Sequence, residues 1–262
     1  MSRYRTRSGI VLRRSVTPAG DVILVIFTPE GKMRGVARSG VKGSRSPRLN
    51  LFQHLTVQVY ERPGNDLPTI TQIVLEGALV GLAKPDVYPY AHLLAELADK
   101  LYQDADHVGQ TGFELLAGGL RGLVRHEDPD RVALVICWKL LAANGLYPRV
   151  HACIETGDTE NLRFFDARAG GVIVSDFGRG LEIGEGAIFE LARISKGTVR
   201  EVLEDELELE ARLGLWRALE AYLVAHVGEL RAWASLRTQL GSVPGFETAV
   251  DAIETRLEVA AV

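Results

Sequence analysis

The sequence predicts an α+β protein: an N-terminal OB-type β-barrel, then an α-helical domain carrying a small inserted hairpin. Three observations carry that prediction. Residues 9–80 hold five short apolar runs with a period near two, separated by Pro/Gly turns. From about Pro89 the apolar period becomes helical. Charge is sorted along the chain as well. Residues 1–48 hold eleven Lys or Arg against Asp21 and Glu30, a net +9; the whole chain is −4, so residues 49–262 carry −13.

The elements follow in order. Gly9–Arg14 is the first apolar run, and Thr17–Gly20 is a turn. Val22–Thr28 is β-branched and aromatic, as a strand requires. Pro29-Glu30-Gly31 turns the chain back, so Lys32–Arg38 pairs as a hairpin. Alternation puts Lys32, Arg34, Val36 and Arg38 on one face and Met33, Gly35 and Ala37 on the other. The small residues suit the inside of a tightly curved sheet. The cations stand about 6.6 Å apart on the outside. A long connection, 39–54, carries Lys42, Arg45 and Arg48 among Gly and Ser. Leu55, Val57 and Val59 then alternate with Thr56, Gln58 and Tyr60, and Leu67–Leu75 is the fifth strand. Five short strands with one long connection fit a small Greek-key barrel.

Helices are predicted from about Pro89, over Gln110–Val124, over Pro129–Ala143 with Asp128 as N-cap, over Gly184–Ile194, over Glu206–Trp233 and over Phe246–Val259. Between the third and fourth lies a Gly/Asp-rich insert with a hairpin, Leu162–Phe165 and Val172–Ser175. The domains expected are 1–80, then 81–147 with 181–262, and the insert 148–180.

Composition narrows the function. An apolar share of 47% supports a buried core. Two cysteines cannot build a disulfide framework, which points to a reducing compartment. No apolar signal segment follows the basic start, and no run is long enough to span a bilayer, so a cytoplasmic protein is expected. The sequence has no P-loop, HExxH or GxSxG motif, so no catalytic chemistry is signalled and an enzyme is not expected. The acids from Glu201 to Glu210 do not share one helix face and read as solvated surface. A cationic segment of this density points to a polyphosphate backbone.

Four stretches add a resemblance: Ala37–Gly43, Tyr90–Glu96, Leu140–Pro148 and Tyr222–Gly228. In their order and spacing the chain resembles RecO, a bacterial recombination-mediator family, over nearly its whole length. The resemblance implies binding of single- and double-stranded DNA, strand annealing without ATP, recombinase loading with RecR and the C-terminal tail of single-strand-binding protein, and nucleoid association. It also implies a four-cysteine zinc element in the insert, reading CxxCG and GGxxCxxC. Here only Cys153 remains, and Thr156, Val174 and Phe177 stand at the other positions. One thiolate cannot hold structural zinc. The insert is therefore expected to be metal-free, with Val174, Phe177 and Phe164 or Phe165 packing where the metal would sit. Each buried Val or Phe contributes about 1.5–3 kcal/mol, against about 10–16 kcal/mol for structural zinc.

The candidate DNA contacts are Arg13, Arg14, Lys32, Arg34, Arg38, Lys42, Arg45 and Arg48, with Tyr60 as a stacking aromatic. Arg3, Arg5 and Arg7 are read as a basic arm. The alternative is an RNA-binding OB module in RNA processing or translation.

Overall fold

The computed structural model describes residues 4–38, 49–61, 67–102 and 109–240. It is a mixed α+β chain with two compact units, 1–144 and 145–262. The helix expected over 246–259 and the loop cations Lys42, Arg45 and Arg48 lie outside the described residues.

Unit one opens with five strands: β1 (Tyr4–Val16), β2 (Val22–Thr28), β3 (Gly31–Ala37), β4 (His54–Tyr60) and β5 (Thr69–Gly77). They close in the order β1-β2-β3-β5-β4. Every pairing between neighbours is antiparallel except β3–β5, which meet in parallel at Val36 and Thr69. β1 is longer than its apolar run suggests, because its first residues pair only with β4. Arg5 and Arg7 therefore belong to a strand and not to a free arm. A bulge between Val11 and Arg13 lets β1 change partners.

The interior is built as the alternation predicts. Val11, Val22, Leu24, Ile26, Ala37, Leu55, Val57, Val59 and Ile70 form one cluster, with Met33 against it. Gly35 is needed there: a Cβ at that position would lie 2.8 Å from Cγ1 of Ile70.

The outer face of β2 is buried too. Val25 and Phe27 point away from the interior, yet they are 2% and 0% exposed. Helix α2 (Gly109–Arg125) packs on β2, and helix α1 (Tyr88–Leu101) packs beside it on β1. The Phe27 ring lies 4.7 Å from that of Tyr102 and 6.1 Å from that of Phe113. Small residues let α2 sit close: a Cβ at Gly109 would strike the Pro29–Gly31 turn, and one at Gly112 the Tyr102 ring. Helix α3 (Pro129–Ala143) completes the unit, with the Asp128 carboxylate accepting the Arg131 N–H.

In unit two, β6 (Phe164–Asp166), β7 (Gly171–Ile173) and β8 (Leu181–Glu182) form a sheet in the order β7-β6-β8. The third strand is additional to the hairpin expected from sequence. Helices α4 (Glu185–Lys196), α5 (Val199–Glu204), α6 (Leu209–His226) and α7 (Ala232–Leu240) follow. Thr198 and Glu201 form a capping box that starts α5. The single long helix expected over 206–233 is two. Gly228 adopts φ +92, and its N–H and that of Val227 both donate to the Leu223 carbonyl, which closes α6. Tyr222 and His226 on α6 stack at 4.2 Å, Tyr222 lies 5.8 Å from Phe165, and a His226 ring nitrogen is 2.7 Å from the Ala167 carbonyl oxygen. These contacts fix the insert to its helix. Among the described residues no helix is long and apolar enough to cross a membrane.

Gly35→Val should overpack the barrel against Ile70. We expect a loss of about 1–3 kcal/mol in urea unfolding, part of it recovered when Ile70→Ala is added.

Candidate nucleic-acid interface

Strand register sorts the predicted cations by face. Arg13 stands opposite Val25, and Val25 opposite Arg34. Opposed residues share a face, so Arg13 and Arg34 flank Val25 on the outside of the barrel. Arg34 is exposed and has no ion pair among the described residues. Arg13 is 59% exposed and lies 3.5 Å from Asp99. Arg38 is 64% exposed and meets Asp21 in the β1–β2 turn at 2.9 Å. In each pair the carboxylate is largely buried but the guanidinium is exposed, and its five donors can serve a phosphate as well as the carboxylate.

Lys32 is different, and here the structure corrects the sequence reading. It keeps the expected outer face, opposite Phe27, but its side chain is covered and only 13% exposed. Nζ donates to the Asp99 carboxylate at 2.9 Å and also to the Asp99 backbone carbonyl in the last turn of α1. The last helical carbonyls lack intrahelical donors, and a cation there also meets the negative end of the helix dipole. Lys32 thus anchors α1 to β3. Arg14, a candidate contact by sequence, pairs with Leu24 on the inner side, and its Nε is buried with no hydrogen bond among the described residues.

Tyr60 faces outward as alternation predicts and is half-buried. It gains a partner that the sequence did not reveal. Tyr4 stands opposite it in register, 52% exposed, with ring centroids 5.0 Å apart. The polar β1 sequence around Tyr4 carries no facing signal, so its position comes only from pairing. Through Thr69, paired with both Tyr60 and Val36, this aromatic pair adjoins the outer face of β3.

Some of the charge elsewhere is already engaged. Arg193 is held by Glu190 at 2.7 Å and by Asp205. In the acidic run, Glu201 caps α5 and Glu204 pairs with Arg200 at 2.8 Å. Among the described residues no three His, Cys, Asp or Glu are grouped to hold a metal.

The residues at the expected zinc positions do not fit a zinc ion. Cys153 supplies one sulfur. The Thr156 hydroxyl donates to Asp158 at 2.6 Å, while the side chains of Val174 and Phe177 have no donor atoms. Phe177 is 47% exposed, so it does not form the apolar cluster expected in the metal's place. The sulfur keeps a polar setting nonetheless. Desolvation raises the Cys153 pKa, but hydrogen bonds from Thr156, Glu155 and Val174 outweigh it and bring the thiol down to about 7. Burial alone acts on Cys137, whose thiol is pushed up.

Five strands that close on themselves with cations on the outer face, followed by helices, define a mixed α+β protein with a small N-terminal β domain. Comparison makes the family definite. The family model Recombination protein O N terminal matches residues 1–78, and Recombination protein O C terminal matches residues 83–235. The chain is 31% identical over 254 residues to DNA repair protein RecO of Anaeromyxobacter sp. (strain K), covering 91% of this chain and 97% of that one. It is 28% identical to the protein of the same name from Symbiobacterium thermophilum, over 83% of this chain and 90% of the relative. The chain belongs to the RecO family of DNA repair proteins.

If Lys32 is an anchor, Lys32→Met should lower stability by about 1.5–3 kcal/mol in urea unfolding. Arg34→Met should stay within about 0.5 kcal/mol of the parent protein.

Proposed function

We propose that this chain is a non-enzymatic DNA-binding mediator. It binds single and double strands through an OB-type barrel, anneals complementary strands without ATP, and works with RecR and the tail of single-strand-binding protein to load recombinase at the nucleoid. The closing order β1-β2-β3-β5-β4, with its single parallel pairing, supports the OB-type assignment. The observation that carries the binding proposal is the exposed Arg34, with no ion pair among the described residues, beside the exposed guanidiniums of Arg13 and Arg38.

The proposed binding set keeps Arg13, Arg34 and Arg38, with Lys42, Arg45 and Arg48 on the following connection. Arg14 sits at its margin, and Lys32 contributes by holding α1. Tyr60 and Tyr4 offer a stacking surface whose affinity for bases is indifferent to sequence. Neutralising phosphates on two strands at once lowers their mutual repulsion, which is a physical route to annealing. The proposed domains are 1–80 for nucleic acid, 81–147 with 181–262 for partner proteins, and 148–180 as the insert. The −13 carried by residues 49–262 favours protein partners over phosphate for the helical part.

The test is a salt titration with labelled oligonucleotides, beside an ATP-free annealing assay. R34E/R38E should bind single and double strands of any sequence at least about tenfold more weakly at low salt. For single strands its log–log salt slope should be smaller by about 1.4, at about 0.7 for each phosphate no longer neutralised. Unchanged affinity would remove the barrel rim as the binding face. Tighter binding of RNA than of DNA of the same sequence would move the reading to an RNA-binding module.

A further inference from the structure

The insert has two tight turns at the positions where the resemblance implies a zinc element, without its ligands. In the first turn the Thr156 N–H donates to the Cys153 sulfur at 3.4 Å and the Gly157 N–H to the Cys153 carbonyl at 2.9 Å, with Gly157 at φ +81. In the second, Gly178 has φ +75, and the N–H groups of Arg179 and Gly180 both donate to the Asp176 carbonyl. Turns of this kind must be tied to each other, because each is too short to bury a core of its own.

A guanidinium lies where the two turns and the sheet converge. Arg179 Nε donates to Asp166 Oδ2 at 2.5 Å, at the end of β6. Its Nη2 meets the carboxylate of Glu155, inside the first turn. Its Cζ stands 5.9 Å from the centre of the Phe177 ring, in the second turn. The planar five-donor fork of arginine suits several partners at once, and an aromatic face adds a cation–π interaction. We infer that Arg179 cross-links the insert, taking the tying role that a metal ion with four cysteines would have there.

The arms differ in strength. The Asp166 side chain is 3% exposed and also accepts the Ala169 N–H at 2.9 Å. A carboxylate buried this deeply must be paired, and removing its partner strands the charge. The Glu155 arm has both groups nearly half exposed, so solvent and salt weaken it. Stability of the cross-link therefore rests on Arg179 and Asp166.

Thermal unfolding of the full chain, with and without EDTA, tests this alongside metal analysis of protein purified without chelator. No stoichiometric zinc and no effect of EDTA are expected. Arg179→Met should lower the melting temperature by roughly 2–6 °C, because the guanidinium itself is half exposed, and Glu155→Gln by less than about 2 °C. Adding Asp166→Asn to Arg179→Met should restore part of the loss, because the stranded charge is gone. One zinc per chain whose removal lowers the melting temperature would overturn the inference. So would Arg179→Met melting like the parent protein, or a double variant no better folded than the single.

Discussion

Burial of strand β2 on both faces is the constraint from which most of unit one follows. Leu24 and Ile26 fill the barrel interior, while Val25 and Phe27 must be covered from outside. Burying a Val or Phe side chain contributes about 1.5–3 kcal/mol each, so α1 and α2 are drawn onto the sheet. Their approach sets the small residues Gly109 and Gly112 and places Asp99 over β3, where Lys32 meets it. The same docking decides which cations remain available to a ligand. One side of the outer face is used for protein packing, and the other, with Arg34 and Arg38, stays open to solvent. Helix packing and solvent compete for the same sheet, and the helices take the more apolar half.

That competition explains what could be read from the sequence. The alternation over His54–Tyr60 showed its facing correctly, because one side of β4 is solvated. The unbroken apolar run at β2 carried the signal of a doubly buried strand, but it does not say what covers it. Lys32 and Asp99 are 67 residues apart, and no local pattern joins them. The break after α6 was legible in principle, since glycine at Gly228 is the residue type that takes a left-handed helix stop. So was α5, whose Thr198-x-x-Glu201 is a capping signature. Tyr4 was not legible, as its facing depends on register with β4.

The insert shows the same limit from another side. Loss of three ligating positions is plain in the sequence, and it excludes a four-cysteine site directly. The expectation of an apolar replacement followed from residue type, since Val174 and Phe177 are hydrophobic. Geometry reverses that. The second turn lies at the surface, where Phe177 is left nearly half exposed, and the side chain long enough to reach from it to the first turn is Arg179.

A metal ion and a guanidinium solve related problems at different scales. Zinc neutralises thiolates and fixes four ligands in a small sphere. A guanidinium reaches farther, satisfies carboxylates along its edge and aromatic rings on its face, and needs one well-buried anion to hold it. Asp166 is that anion, and its own second oxygen is occupied by the Ala169 N–H. The β6–β7 turn therefore holds the carboxylate through a contact that does not involve Arg179. The exposed Glu155 arm is secondary, because a half-solvated pair adds little once the buried one is made. A zinc site depends on all four of its ligands together, whereas this cross-link rests mainly on one buried carboxylate, with Phe177, one of the three replaced cysteine positions, against the guanidinium.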